Sequence, residues 1–484
     1  MLTLGAAFAR CHWKRPAHNI LRRALHSTPS QTRNRTIKSE TEVKNDINVP
    51  RDRWNYNVSP FLQTSQTKYS DLEFVTANAL ECATEPPRGV QMLVRDFIED
   101  SLYNPNYGYF PSQATIFNTD GSAVGFDSLR DSTEFQEVVA QKYAAYGADK
   151  HDGPGRQLWH TPTELFKPWF GRAIARCLVA EYLLKYFPYE DLIIYEIGAG
   201  NGTLAMDILN FLQEVHPEVY ERTRYNIIEI SGRLVHMQRK RLSRAHPNVR
   251  VTHKSIFHWA SREPAPCFFV AMEVIDNFAH DVVRYDLKTL EPYQGVITVD
   301  PHGDFETIYT PVSDPLITEF LNLRRNLKHP LPVSKVLQSS DALRKLYLSM
   351  PFAPNLSKEE YIPTRLLSLL RILRNYFPRH RLLLSDFSSL PDTISGVNAP
   401  VVQTRFRNTT VPCTTLLVRQ GYFDIFFPTN FEHLRDIGLP VGERKSNVFT
   451  HSEFMETYAD LNRTRLRNGE NPMLDFYKNV KFLF

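Results

Sequence analysis

The residues best suited to chemistry form the run Glu196-Ile197-Gly198-Ala199-Gly200-Asn201-Gly202-Thr203-Leu204, with a further acid, Glu229, downstream. Glycines permit a tight turn and let backbone approach a ligand closely. A helix that starts just beyond them presents free N–H groups, which suit an anion such as a carboxylate. A dinucleotide site wants G-x-G-x-x-G and an acid about 20 residues on. Here the third glycine comes one position early, at Gly202, and Thr203 stands where that fingerprint wants glycine. Glu229 also lies further along than the fingerprint expects. The spacing therefore disfavours a nicotinamide-dependent oxidoreductase, which stays as an alternative beside a glycine turn that holds nothing.

Such a loop works only if a strand ends before it and a helix begins after it. Leu192-Ile193-Ile194-Tyr195-Glu196-Ile197 is a short apolar run that predicts a buried strand. Leu204, Ile208, Leu212 and Val215 follow at helical spacing. Tyr225 to Ile230 predicts a second strand and Leu234 to Arg244 a second helix, with further strands at Val249 to Thr252 and Cys267 to Met272. Strands alternating with helices imply an α/β fold, a parallel sheet covered on both faces. Upstream, Val90, Leu93, Val94, Phe97, Ile98 and Leu102 predict a helix from about Gly89 that stops before Asn104-Pro105-Asn106. Another helix is expected over Phe170 to Tyr186. Downstream, 281–335 reads as an antiparallel insertion, Thr364 to Tyr376 as a Leu-rich helix and Arg381 to Asp386 as a core strand. Thr414 to Phe427 is expected to supply the closing antiparallel strands, with a turn near Gly421, and 436–484 to pack over the outside. The resulting division is a leader, 1–39; a polar linker, 40–87, with one ordered piece around Trp54 to Leu62; an N-terminal cap region, 88–190; a core, 191–435, with its insertion at about 281–375; and a C-terminal extension, 436–484.

Composition bounds the function. At 42% hydrophobic and 23% charged, the 484-residue chain has ordinary globular usage. A net charge of +4 gives no reason to expect a nucleic-acid partner. No stretch reaches the roughly 18 apolar residues of a membrane span. The five cysteines, Cys11, Cys82, Cys177, Cys267 and Cys413, are scattered singly, which argues against a disulfide framework or a metal site and for a reducing compartment. The first 39 residues carry Arg10, Lys14, Arg15, Arg22, Arg23, Arg33, Arg35 and Lys38, with no acid before Glu40. That basic, Ser/Thr-rich segment resembles a mitochondrial transit peptide, with a processing site near Arg23 to Ser27 and the matrix as destination. The alternative is a basic tail that binds anionic surfaces.

A G-x-G-x-G loop preceded by an acid, with a second acid ending the next strand, resembles methyltransferases that use S-adenosyl-L-methionine. Four further segments narrow the resemblance. Val94 to Phe110, containing Asn104-Pro105-Asn106-Tyr107-Gly108-Tyr109, is similar to the N-terminal signature of MidA-type methyltransferases. That family includes a mitochondrial arginine methyltransferase that assists respiratory complex I assembly. Thr161-Pro162-Thr163-Glu164 and Phe170-Gly171, then Ile228-Glu229-Ile230-Ser231 with Leu234 and Gln238, then Gly421-Tyr422-Phe423-Asp424-Ile425 with Asn430-Phe431, resemble its later motifs. The likeness runs from about residue 88 to 435.

The resemblance implies a Rossmann-like class I methyltransferase sheet with a helical N-terminal cap and an insertion before the last strands. It implies S-adenosyl-L-methionine as cofactor, bound by Glu196, Gly198, Gly200, Gly202, Glu229 and Glu164, with Glu229 taking the two ribose hydroxyls and Glu196 facing the ammonium end. Glu164 reaches either the cofactor or a backbone N–H of the cap. Glu273 and Asp276 follow the strand edge that faces the methyl group in this fold. They are the candidate catalytic acids, which orient a guanidinium and accept its proton. Helix capping is their alternative role. No metal is needed. The implied partner is a protein substrate, possibly a respiratory-complex subunit. The sequence departs from the family in Met272-Glu273-Val274-Ile275-Asp276-Asn277-Phe278-Ala279: Met272 replaces an amide and Asn277-Phe278-Ala279 replaces Ala-Leu-Pro, as in a divergent, fungal-type branch. The proline at Pro162 is also shifted. A cofactor-binding assembly factor without turnover is therefore a second reading.

Overall fold

The computed structural model describes residues 71–112, 115–116, 123–147, 158–159, 161–391, 398–406, 409–438 and 446–484. The leader, most of the linker and the segment Trp54 to Leu62 lie outside the described residues.

A seven-stranded sheet organises the molecule. In chain order its strands are β1 (Leu192–Ile197), β2 (Thr223–Glu229), β3 (Val249–His253), β4 (Cys267–Met272), β5 (His380–Phe387), β6 (Val448–Thr450) and β7 (Val480–Leu483), and in space they run β6-β7-β5-β4-β1-β2-β3. β1 to β5 are parallel, while β7 is antiparallel to both β5 and β6. β1 is buried along its whole length because both faces are covered. Ile194 enters the core formed with helices Trp169–Lys185 and Thr203–Val215; Ile193 and Tyr195 enter the opposite core, with helix Thr364–Tyr376. The strand order reverses between β1 and β4, and open α/β sheets form their binding crevice at the carboxyl ends flanking such a point.

Two expectations are corrected here. The closing strands of the sheet are β6 and β7, from the segment 436–484 that was expected to lie outside. Of Thr414 to Phe427 only Asp424–Phe426 is a strand, and it joins Val401–Phe406 and Thr409–Cys413 in a separate three-stranded sheet. Aromatic and β-branched composition marks a strand but not its sheet: Val480 and Phe482 look no more core-like than Ile425 and Phe426. Likewise Val90–Leu93 is a strand, and the helix begins only at Val94. Val90 to Leu93 pair antiparallel with Val299 to Val296 of the insertion, and that ladder overrides the helical spacing.

This pairing joins the cap to the insertion in a six-stranded sheet centred on Pro292–Val299, which pairs with Val90–Leu93, Asp281–Tyr285 and the edge strand Phe305–Pro311. Arg95, on the cap helix, spans Asp281 at 2.8 Å and Asp314 at 2.5 Å. The cap's signature is fixed from the other side. Asp100 is buried and receives Tyr107 Oη (2.7 Å), Asn104 Nδ2 (3.0 Å) and Gln420 Nε2 (2.7 Å). Burial, only partly offset by these donors, pushes its carboxyl up to about 6. Gly421, at φ +84°, could not carry a side chain, since a Cβ would lie 2.0 Å from the Tyr107 carbonyl oxygen. The distant signatures around Tyr107 and Gly421 are thus two halves of one clamp, and it holds Tyr103 at the mouth of the crevice.

Candidate active site

β1 delivers the glycine loop to the crevice. Gly198, Gly200 and Gly202 have φ of +69°, +54° and +72°, a region that side chains disfavour. At Gly198 a Cβ would also lie 2.9 Å from Val274 Cγ2. Gly202 is the N-cap of helix Thr203–Val215 and supplies no side chain to close its first turn. The loop is held from outside. Glu164 accepts from Thr203 Oγ1 (2.7 Å) and Asn201 Nδ2 (3.1 Å), and Lys167 lies 3.4 Å from its second oxygen. Arg241 donates to the Asn201 carbonyl at 2.9 Å.

Glu196 and Glu229 end β1 and β2 side by side, both buried. Glu196 accepts from Tyr225 Oη at 2.9 Å, and burial followed by the charge of Glu229 pushes it up to about 8. Glu229 accepts from the Ser231 N–H (2.9 Å) and from Gln238 Nε2 (3.1 Å); burial still raises it above its ordinary range. The Gln238 amide also donates to the Gly200 carbonyl at 2.8 Å, so one side chain couples the glycine loop to the acid of β2.

The turn after β4 carries the other acids. No α-helix begins there; a single 3₁₀ turn covers Ile275–Asn277, and Glu273 precedes it at φ +55°. The capping role belongs to neither candidate. Asp386, at the end of β5, accepts the backbone N–H groups of Val274 (3.1 Å), Ile275 (2.9 Å) and Asp276 (3.1 Å). Asp276 receives only the adjacent Asn277 N–H (2.9 Å). Glu273 Oε1 is out of contact with solvent and has no hydrogen-bond partner among the described residues. Burial, then Asp386, pushes Glu273 up to about 8. Burial and the charges of Asp386, Asp424 and Glu273 hold Asp276 well above the carboxylate range. Asp424, fully buried, accepts from Asn277 Nδ2 at 2.9 Å and leaves Oδ2 without a partner; burial raises it strongly. Among the described residues no salt bridge reaches Glu273, Asp276, Asp386 or Asp424.

A cavity of about 210 Å³ brings these groups together. Glu164, Glu196, Gly198, Gly200, Glu229, Glu273 and Asp276 all line it. Gly202 stands behind its wall, against Leu242. Opposite the acids, Tyr103 and Phe110 stack with ring centroids 5.2 Å apart, and Tyr103 Oη donates to the Asn277 carbonyl at 3.1 Å. A second cavity of about 580 Å³ shares Tyr103, Gly198, Glu229 and Arg233 with the first and continues past His253, Ile256 and Phe257, beyond the end of β3. Sequence reasoning passed over that loop, and over Tyr103, Phe110, Asp386 and Gln238 as site residues. Gln238 and Asp424 carried a signal in their motifs; Asp386 ended an expected strand; the β3 loop carried none.

The groups present fit an adenosyl sulfonium ligand. A glycine cradle faces an uncapped helix start, and Glu229 keeps acceptor capacity beyond the donors it already has. Among the described residues, no group of three His, Cys, Asp or Glu side chains could hold a metal ion, and no helix is long and apolar enough to cross a membrane. Cys82, Cys177, Cys267 and Cys413 are free thiols.

Comparison with known proteins agrees with this geometry. A family model described as "Putative S-adenosyl-L-methionine-dependent methyltransferase" matches residues 173–449, more than half of the chain. The chain belongs to that family, and its cofactor is S-adenosyl-L-methionine. It is 26% identical over 344 residues to the protein arginine methyltransferase NDUFAF7 homolog, mitochondrial, of Schizosaccharomyces pombe, covering 65% of this chain and 67% of that one. A Burkholderia thailandensis protein crystallised with S-adenosyl-homocysteine shares the fold at a TM-score of 0.50 and 14% identity, over 87% of this chain and 92% of that one. A native crystal structure from the same organism aligns over the same shares at a TM-score of 0.46, also at 14% identity.

Proposed function

We propose that this methyltransferase transfers its methyl group to an arginine side chain of a mitochondrial protein, in support of respiratory complex I assembly. The carrying observation is the paired Glu273 and Asp276 carboxyls in one cavity with the stacked Tyr103 and Phe110 rings. Carboxylates and aromatic faces together suit a planar cation. The name of the yeast relative and the basic leader, 1–39, support the target and the compartment.

Bound S-adenosyl-L-methionine supplies an electrophilic methyl group whose departure leaves a neutral thioether. Glu229 would accept from the ribose hydroxyls, Glu196 would face the ammonium end, and the loop would bring the backbone of Ala199 and Gly200 to the ligand. Glu164 holds that loop through Thr203 and Asn201. Asp276 orients the guanidinium, and the clamp that seats Tyr103 keeps water out of the line of attack. Methylation of a guanidinium nitrogen releases one proton, and Glu273 would take it. An acid pushed up to about 8 suits this task, since a useful base has its midpoint near working pH.

The test is tritium-methyl labelling of mitochondrial extract from cells lacking the protein, with the purified chain added back. Radioactive methylarginine in one or few proteins is the expected result. Label on another residue type overturns the arginine assignment. Cofactor binding without label on any protein would instead select a non-catalytic assembly factor, the reading that Met272 and Asn277 favour by departing from the family's pattern.

A further inference from the structure

Five of the thirteen large apolar side chains exposed among the described residues fall in one stretch of the insertion: Val336, Leu343, Leu346, Met350 and Phe352. Single exposed apolar residues are ordinary, but a cluster is not. The stretch comprises helices Lys335–Ser339 and Asp341–Leu348 and the turn after them, and neither helix has a buried residue. Leu337, Tyr347 and Leu348 pack against the core around Ile317 and Val333, whereas Leu346 is 63% exposed.

Phe352 is the most exposed of the five. The Ala353 N–H donates to the Met350 carbonyl at 3.2 Å and closes a turn with Pro351 and Phe352 at its corners. Phe352 has φ +62°, a conformation that suits glycine or asparagine and is an outlier for a bulky residue. Its backbone is therefore strained while its ring, in full contact with water, adds nothing to the core. Strain of this kind persists only where the surroundings enforce it, and it marks positions with a use outside the fold. The surroundings here are firm. Leu287 N–H donates to the Asn355 carbonyl and Ser357 N–H to the Tyr285 carbonyl, both at 2.8 Å. Arg344 ties the second helix to the Leu337 carbonyl (2.9 Å) and the Lys288 carbonyl (3.2 Å).

We propose that this tip is a membrane-docking surface that lays Leu346, Met350 and Phe352 into an anionic lipid bilayer. The charge around it fits that occupant. From residue 325 to 358 the chain has Arg325, Lys328, Lys335, Arg344, Lys345 and Lys358 but one acid, Asp341. Asp341 is already paired with Lys345 at 2.8 Å and Arg344 at 3.3 Å. Lys328, Lys335 and Lys358 are exposed and, among the described residues, join no ion pair, so their ammonium groups are open to lipid phosphates while their stems lie along the apolar surface. A protein partner fits less well. Lysine is depleted at protein interfaces, and five side chains are far fewer than the roughly 20–30 residues a side of a stable one. Among the described residues no helix is long and apolar enough to cross a membrane, so the contact is peripheral. The proposal is independent of which residue the enzyme methylates.

The test replaces Phe352 by trifluoromethylphenylalanine in the full-length chain and adds vesicles with or without a nitroxide on the lipid acyl chains. In vesicles of equal parts phosphatidylcholine and phosphatidylglycerol, the nitroxide should broaden the fluorine resonance strongly. With phosphatidylcholine alone, or at high salt, the resonance should stay sharp. Phe352→Gly removes the ring and relieves the backbone. It should weaken co-sedimentation with the anionic vesicles by about tenfold or more, as for withdrawing one large apolar side chain from lipid, while the melting temperature holds or rises. The fluorine signal reads the tip alone, so binding through the basic leader does not imitate it. Protein that sediments with the anionic vesicles while its fluorine resonance stays sharp would overturn the proposal and leave the leader as the binder. Self-association that Phe352→Gly abolishes, again without broadening by lipid, would overturn it too and assign the tip to a second copy of the chain. None of these measurements involves methyl transfer, so their failure leaves the catalytic reading untouched.

Discussion

The two walls of the crevice are built from the same residue types and treated oppositely. On the β1–β2 side every acid has donors: Glu164 has Thr203, Asn201 and Lys167, Glu196 has Tyr225, and Glu229 has Ser231 and Gln238. On the β4 side Glu273 Oε1 and Asp424 Oδ2 have none, and Asp276 has only its neighbour's N–H. Among the described residues, Asp386 is the acid there with a full set of donors, and it uses three to pin the turn. An acid held by donors keeps one geometry, as suits a cofactor that must bind the same way every cycle. An unsatisfied acid is costly to ionise and sensitive to any cation that arrives, as suits a group that exchanges protons.

Replacing one acid from each wall separates these roles. Glu273→Gln should lower methyl transfer by about 10²–10⁴-fold, the usual contribution of a positioned base, with melting temperature and cofactor affinity almost unchanged. Single-turnover labelling beside calorimetry checks it, and preserved turnover would erase the distinction between the walls. Under the proposed cofactor pose, Glu229→Ala removes the acceptors of both ribose hydroxyls. Bonds to a charged acceptor contribute about 1.5–3 kcal/mol each, so affinity should fall roughly tenfold to several hundredfold. Gln238→Met is the milder version: it keeps the volume, frees Glu229 and Gly200 from each other, and should weaken calorimetric binding by about three- to tenfold. Affinity equal to wild type would show that the Gln238 bridge does not organise the cofactor side.

The two walls also differed in how legible they were in the sequence. The glycine loop and Glu229 are local signals: strand, turn and helix follow one another, and the spacing of Gly198, Gly200 and Gly202 carries its own meaning. The site on β4 is assembled from distant pieces. Asp386 follows Asp276 only after the whole insertion, and Asp424 comes from a different sheet, so no spacing rule links them. The capping alternative for Asp276 could not be settled for the same reason, since the true cap is remote. The closing strands were hidden as well, because 436–484 has the charged composition of a surface segment while β6 and β7 are short. The clamp between Tyr107 and Gly421 was visible as two motifs but not as a contact.

The smallest expected effect concerns the charge held by a satisfied acid. Glu196 has its carboxyl raised to about 8 by burial, ahead of the charge of Glu229. In the unfolded chain a glutamate titrates near 4.3. Between these values the native state binds the extra proton, so stability falls as pH rises through that window and is flat on either side. Glu196→Gln keeps an acceptor for the Tyr225 hydroxyl and removes the titration. Other raised acids, among them Asp207 and Glu273, lower wild type and variant alike, so the difference between the two isolates Glu196. In cofactor-free protein the variant's melting temperature should match wild type at pH 4 and exceed it by a few degrees, on the order of 2–4 °C, at pH 8. Differential scanning at several pH values tests this. A gap that stays constant from pH 4 to 8 would mean that Glu196 is already ionised in the folded state, with the Tyr225 bond outweighing the loss of solvent. The cofactor wall would then hold two negative charges before its ligand arrives, and S-adenosyl-L-methionine should bind more tightly than its neutral-sulfur product as salt is lowered.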